Sequence, residues 1–399
     1  MPKFDSEFDL EFNNDFNETA LLPEGLHDTL GREAEYQAEI VEKLRQCFAS
    51  FGYERVSPPL LEFEESLLSG PGKEQSRNMF RVMDPVTQRM MAVRNDMTGQ
   101  VARIARSRLA NAPRPLRLSY SGDVLRVRGT QLRPEREFKQ AGIELIGTNS
   151  SESYVEVILL ARDVLATVGV ENASIDLTMP LLVPAICRGL GLDKNTSKSV
   201  RQALNAKDIG ALDNLTGDIG EISRKLLSAA GAADKAVDII GALTLPEEAQ
   251  NIFNEVVVLL QRLEKVAPEL RITVDPGEYT GFEYHTGLCF SIFVMGVRGE
   301  LGRGGRYLVG DAGNGNESEP ATGFSLYLDS LMRALPEMME LKYIYCPYDT
   351  DMKVLNRLRK EGYRTICGLE AVKNEIAEAE RLNCRHIWRT DKVIEILRG

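Results

Sequence analysis

The stretch Arg136-Glu137-Phe138-Lys139-Gln140-Ala141-Gly142-Ile143-Glu144 changes side-chain character at nearly every step. In a strand, residues two apart share a face. Gln140, Gly142 and Glu144 therefore lie together, with Arg136 and Phe138 in line. A strand is predicted over 136–147 and another over 116–128, with the polar loop Gly129–Glu135 between them. Two long strands joined this closely form a hairpin, across which Arg126 faces the polar side of the second strand. That side is either solvent-exposed or lines a pocket, and the flanking apolar positions leave both open.

Outward from the hairpin, other strands come in runs with few crossover helices. Residues 79–84 and 89–94 alternate around Asp84-Pro85 and predict a second hairpin. Further strands are predicted at 174–178, 270–274, 286–297 and 321–326. Helices are predicted at 33–52, ending at Gly52, at 98–110 and at 152–168. Residues 184–268 change character: rich in Ala, Leu, Lys, Asp and Glu and broken at Gly210, Gly217, Gly231 and Pro246, they predict a helical insertion. After Pro336 come strand 342–346, helix 350–361, strand 364–367, helix 369–382, strand 385–388 and a last strand at 393–397, a small α/β unit. Residues 1–19 read as a flexible acidic arm, although Phe4, Phe8, Phe12 and Phe16 recur every four residues. The organisation expected is thus an arm at 1–19, a main body at 20–335 and a small unit at 336–399. The fold class is α+β with an antiparallel sheet.

The chain has 399 residues, 27% of them charged, with a net charge of -11. On that balance a dedicated nucleic-acid binder is disfavoured, because phosphates are held by Lys and Arg. The charge is unevenly spread. Arg94 to Lys139 holds eleven basic and four acidic residues, a local +7, which leaves -18 elsewhere. Such a window suits an anion or an acidic partner, or consists of arginines paired with acids from other parts of the fold. Six scattered cysteines and three histidines show no metal-ligand spacing. No cofactor and no metal are expected. No apolar run reaches the 18 or so residues that span a membrane, and no signal peptide is visible, so a cytoplasmic protein is expected.

Three clusters carry candidate chemistry. Arg94-Asn95-Asp96-Met97-Thr98 puts a carboxylate and a hydroxyl at a strand-to-helix junction, where either receives an ammonium group or caps the helix. Gly122-Asp123-Val124-Leu125-Arg126 with Arg136 to Glu144 forms the polar hairpin. Thr280-Gly281-Phe282-Glu283-Tyr284-His285-Thr286-Gly287 is followed by Gly302-Arg303-Gly304-Gly305-Arg306-Tyr307. The latter is neither a Walker A loop nor Gly-x-Gly-x-x-Gly. By itself it reads as a tight turn between strands.

Together these clusters, preceded by Leu22-Pro23-Glu24-Gly25-Leu26-His27-Asp28, resemble the catalytic core of histidyl-tRNA synthetase, a class II aminoacyl-tRNA synthetase. The motifs stand in the family's order, and the likeness covers about residues 20–335. It implies an antiparallel six-stranded sheet with flanking helices, usually in a dimer. It also implies a histidine pocket of Asp96, Thr98, Arg126, Gln140, Glu144, Tyr284, His285 and Tyr307. Asp96 stands for the usual Glu, and His285 for a second Tyr. In such a pocket Asp96 and Gln140 receive the α-ammonium, Glu144 accepts an imidazole N–H and Arg126 supplies charge for a carboxylate.

The activation machinery departs from the family. Its catalytic arginine is replaced by Thr280 and its motif 3 arginine by Ser330. Arg128 stands where a Glu helps hold adenine. Fixed cations lower the barrier as charge develops on the α-phosphate, and loss of one such donor typically costs about 10²–10³ in rate. No catalytic residue is therefore expected. After Pro336 only a shortened relic of an anticodon-binding domain remains, without a Lys/Arg cluster for tRNA.

A chain that keeps a histidine pocket but loses activation and tRNA reading resembles the ATP phosphoribosyltransferase regulatory subunits. That resemblance implies a non-catalytic subunit, pairing as a homodimer within a hetero-oligomer with a short-form ATP phosphoribosyltransferase catalytic subunit. It implies a part in the first step of histidine biosynthesis, with histidine as feedback effector. The alternative is a divergent histidyl-tRNA synthetase that activates histidine with ATP.

Overall fold

The computed structural model describes residues 22–68, 78–130, 133–279, 281–282, 284–310, 318–336, 338 and 341–396. The described residues fall into two compact units, one of residues 22–29 with those between Gln37 and Pro336, the other of Leu30–Tyr36 with those after Pro336. The predicted arm at 1–19 lies outside the described residues.

The chain opens with α1 (Gly31–Ser50). Ile40, Leu44 and Phe48 recur every four residues, so one stripe of the helix is buried. Gly52, at φ +81°, takes the left-handed conformation that ends the helix at little cost. After β1 (Glu54–Arg55), a small antiparallel sheet of β2 (Leu61–Phe63), β3 (Arg81–Met83) and β4 (Met90–Val93) carries α2 (Glu64–Leu67). Then come α3 (Thr98–Ser107), β5 (Leu116–Leu125), β6 (Glu137–Ile146), α4 (Glu152–Thr167) and β7 (Ser174–Thr178).

The helical insertion runs through α5 (Leu182–Gly189), α6 (Lys194–Asn205), α7 (Ile209–Asp213), α8 (Gly217–Ala229), the two-residue β8 (Gly231–Ala232), α9 (Ala233–Gly241) and α10 (Glu247–Val266). In α10, Ala249, Phe253, Val256, Leu259 and Leu263 form the buried stripe that a 3.6-residue repeat requires. β9 (Arg271–Asp275), β10 (His285–Phe293), β11 (Gly302–Val309), β12 (Glu319–Tyr327) and α11 (Leu328–Ala334) complete the main unit. The small unit holds β13 (Tyr343–Cys346), α12 (Met352–Lys360), β14 (Arg364–Cys367), α13 (Glu375–Arg381), β15 (His386–Arg389) and β16 (Lys392–Glu395), with sheet order β14-β13-β15-β16.

The main sheet has nine strands, not the expected six, in the order β1-β5-β6-β12-β11-β10-β7-β9-β8. The run from β5 to β7 is six strands, all antiparallel. Short β1 adds in parallel at one edge, and β9 with β8 at the other. The Gly302–Gly305 stretch is no turn. It opens β11, a strand buried between β10 and β12. A Cβ at Gly304 would run into the Phe290 ring, and one at Gly305 into Cys289 and His285. Glycine is needed for close approach of neighbouring strands, which a reading of loop composition mistakes for a turn.

β6 is buried from Phe138 onward apart from half-buried Lys139, with Gln140 and Glu144 1% and 2% exposed. The polar face of the hairpin therefore lines an interior, not a surface. α3 packs Met97, Val101, Ala102 and Ala105 against Leu118, Tyr120, Val124, Phe138 and Tyr307 on that face. On the other side Phe48 meets Phe324 edge-on, centroids 6.0 Å apart. Five of the eleven basic residues of the window are ion-paired. Arg103, Arg114, Arg117, Arg133 and Lys139 bond to Glu62, Glu319, Glu156, Asp329 and Asp123. Among the described residues no helix is long and apolar enough to cross a membrane.

Candidate functional site

Over the sheet lies a cavity of about 680 Å³, within the range of small-molecule sites. Asp96, Thr98, Arg126, Glu144, Tyr284, His285 and Tyr307 all line it. They come from the start of α3, the end of β5, the middle of β6, the entry to β10, and β11. β12 adds Gly323, Ser325 and Tyr327.

At one end stands Asp96. Its Oδ1 accepts the Thr98 N–H, the first amide of α3, at 2.7 Å, although the N-cap position itself is Met97. Its Oδ2 accepts from Gln140 Nε2 at 2.8 Å. A carboxylate offers about four acceptor positions, so these bonds leave room for an ammonium group. Gln140 is placed differently from expectation, behind Asp96 rather than on the cavity wall. Its Nε2 donates to Asp96 and to Ser325 Oγ, and its Oε1 accepts the Met97 N–H at 2.9 Å. With both amide protons committed, Gln140 orients Asp96.

Glu144 forms a second acidic point. Tyr120 OH donates to its Oε1 at 3.1 Å, and Tyr307 OH to its Oε2 at 3.0 Å. Burial pushes the carboxyl up to about 8, against the pull of the two tyrosine hydrogen bonds. A Cβ on Gly323 would clash with Glu144 Oε2, so the glycine makes room for the carboxyl. Burial, reinforced by the nearby acids Glu144 and Asp96, holds the Tyr120 and Tyr284 hydroxyls far above their ordinary range; Tyr307 is raised by burial and by Glu144.

An aromatic wall closes this end. Tyr284 stacks on His285 with centroids 4.1 Å apart and planes at 28°. It meets Tyr307 edge-on at 5.8 Å. Burial pushes the His285 imidazole down to about 3, so it is neutral at physiological pH. A neutral ring here gives a stacking surface and adds no charge.

Three guanidinium groups line the rest of the cavity. Arg133 donates to both Asp329 oxygens, at 2.9 and 3.1 Å, and lies 3.9 Å above the Tyr327 ring. Arg303 is ion-paired with Glu300 and sits over Phe282. Arg126 stacks 4.6 Å over Phe138, and among the described residues its guanidinium has no carboxylate partner. Its burial lowers its pKa, with Arg133 beside it adding like-charge repulsion. Asp96 and Asp329 act on this half-buried guanidinium only through space, so it can still receive one anion.

The three positions read as lost catalytic residues fall outside the cavity wall or outside the description. Ser330 is fully buried on α11 and accepts from Arg333 Nη2 at 3.1 Å. Arg128 is exposed beyond the end of β5. Thr280 lies outside the described residues. Tyr120, Arg133 and Ser325 are not singled out by the sequence, and Arg303 only as part of the third cluster. Tyr120 and Ser325 face Gly142 from either side in the sheet register, and only a register, not a motif, reveals them. The arrangement offers an acid for an ammonium group, a lone guanidinium for a carboxylate, and a buried acid beside an aromatic wall for a planar polar ring.

The family described as Histidyl-tRNA synthetase matches residues 25–331. A protein of Rhodospirillum centenum named ATP phosphoribosyltransferase regulatory subunit is 48% identical over 377 residues, 94% of this chain and 96% of its own. One of the same name from Paramagnetospirillum magneticum is 44% identical, over 94% of this chain and 98% of its own. Solved structures share the fold. One described as an ATP phosphoribosyltransferase regulatory subunit/histidyl-tRNA synthetase, from Bacillus halodurans C, has a TM-score of 0.78 at 23% identity, covering 91% of this chain and 96% of its own. Histidyl-tRNA synthetase from Nostoc sp. PCC 7120 has a TM-score of 0.76 at 17% identity, covering 93% and 91%.

Proposed function

Since the chain belongs to the ATP phosphoribosyltransferase regulatory subunits, a branch of the histidyl-tRNA synthetase family, we propose that it senses histidine for that enzyme and performs no aminoacylation of its own. It pairs with a short-form catalytic subunit in a hetero-oligomer, itself a homodimer, and acts in the cytoplasm, where its six free cysteines suit a reducing compartment.

One observation supports the reading above the rest. Of the three arginines lining the cavity, Arg126 alone lacks a carboxylate among the described residues, while Asp96 and Glu144 stand on the same wall. A single free cation suits the carboxylate of an amino acid. A triphosphate in the act of adenylation calls for several. In this reading Asp96 takes the α-ammonium, Arg126 the α-carboxylate and Glu144 a ring nitrogen, with Tyr284, His285 and Tyr307 as the aromatic wall. Gln140 and Thr98 hold Asp96 and the start of α3 in place. Histidine regulates by binding two states of the complex unequally, a coupling typically of about 1–3 kcal/mol.

The test is co-purification with a short-form ATP phosphoribosyltransferase, followed by assay with and without histidine. Adding this chain is expected to raise phosphoribosyl transfer, and histidine to lower it again. Histidine-dependent ATP–pyrophosphate exchange by the isolated chain would instead show that activation survives.

A further inference from the structure

The two acidic points of the cavity are joined by an unbroken line of hydrogen bonds, whose direction is fixed by chemistry as far as Ser325 and, once Glu144 is ionised, over its whole length. The Met97 N–H can only donate, so Gln140 turns its Oε1 toward it and its Nε2 away. That amide nitrogen can also only donate, to Asp96 Oδ2 and to Ser325 Oγ, both at 2.8 Å. Ser325 Oγ lies 2.9 Å from Tyr120 OH, and it is the serine that donates whenever the tyrosine gives its own proton to Glu144. Tyr120 in turn has one proton, and it goes to Glu144 Oε1. Every link is buried except the one to Asp96, which is part-buried.

The sheet makes this line possible. Tyr120 on β5 and Ser325 on β12 are both register partners of Gly142 on the strand between them. A Cβ on Gly142 would lie 2.5 Å from the Tyr120 hydroxyl oxygen. The missing side chain leaves the gap through which the tyrosine reaches the serine.

We infer that Tyr120 and Ser325 are positioning residues that couple the ammonium end of the cavity to its ring end, so that each half of an amino-acid ligand is bound better when the other is in place. The inference rests on the histidine reading above. Hydrogen bonds in a chain polarise one another in a low dielectric, and a link that is pulled straight at one end is strengthened at the other. An ammonium group drawing on Asp96 acts on Gln140, and through Ser325 and Tyr120 on the acceptor strength of Glu144. The groups facing Glu144 are Tyr120 from β5, Tyr307 from β11, Tyr284 ahead of β10, and Asp96 and Thr98 at the start of α3. Among these only Tyr120 is also bonded to Ser325.

The experiment is calorimetric titration of the full-length chain with histidine. Gln140→Ala and Tyr120→Phe form a double-mutant cycle, run with Ser325 present and again with Ser325→Ala. With Ser325 the cycle is expected to depart from simple multiplication by about fivefold or more, and without it by little. As a check that does not depend on Gln140→Ala folding well, the limb of the affinity–pH profile set by Glu144 is expected to move up by about one unit in Tyr120→Phe, because one hydrogen bond to the charged form is lost. The ligand's own titrations are common to both proteins and cancel. Multiplicative cycles and an unmoved limb, with histidine bound normally by the parent, overturn the coupling and leave the histidine reading standing. No histidine binding by the parent chain overturns both.

Discussion

Replacing Glu144 with glutamine removes the one carboxyl that the fold buries between two tyrosine hydroxyls. In the folded chain this group is pushed up to about 8, while in the unfolded chain it titrates near the ordinary value of about 4.3. Between these values the folded state keeps a proton that the unfolded state has released. Stability therefore falls as pH rises from about 4.5 to about 8, by about 1.4 kcal/mol per unit and about 5 kcal/mol in all. The Glu144→Gln variant carries no such titration. It suffers instead a pH-independent loss of about 1–3 kcal/mol, because two tyrosine donors then compete for one amide oxygen. The variant is thus expected to be the less stable protein near pH 5 and to gain about 4 kcal/mol on the parent by pH 8. Urea unfolding across this range measures the difference. The single tryptophan, Trp388, reports on the small unit, so the transition is followed through the near-ultraviolet dichroism of the tyrosines. Parent and variant curves that stay parallel from pH 5 to pH 8 would refute the reasoning, since Glu144 would then be ionised as an exposed carboxylate is.

Arg126→Met is expected to weaken histidine binding about 10- to 100-fold, the worth of a charge-assisted hydrogen bond, and to leave binding of histamine, which lacks the carboxylate, nearly unchanged by calorimetry. Asp329→Asn strands the buried guanidinium of Arg133, whose pair is 7% and 3% exposed, and is expected to cost about 3–5 kcal/mol in urea unfolding. Gly142→Ala places a methyl group against Tyr120 OH and the Phe324 carbonyl. It is expected to cost about 1–3 kcal/mol and to abolish histidine binding in the same titration.

Much of the architecture is legible in the order of residues because its signals are local. The stripe Ile40-Leu44-Phe48, the period-two pattern of 136–147 and the Gly- and Pro-punctuated helices of 184–268 each lie within one turn or one strand of their cause. The same locality misleads at β11. Gly302, Gly304 and Gly305 have turn composition, and what makes them strand residues is the pressure of Phe290, Cys289, His285 and Leu326 from neighbouring strands. Likewise the outer strands β1, β8 and β9 are too short or too ordinary to announce that they extend a six-stranded core to nine.

The amino-acid sequence by itself determined the chemical inventory of the site: which acids, tyrosines and arginines exist, and on which strands. Only the tertiary structure decided what each one touches. Asp96 accepts the first amide of α3 and is held by Gln140, Arg133 and Arg303 are ion-paired where Arg126, among the described residues, is not, and the hydroxyl of Tyr120 meets that of Ser325, 205 positions away. The physical reason is register. In a sheet a shift of one residue moves every side chain to the other face, so contacts between distant strands follow from how the strands pair and not from any spacing along the chain.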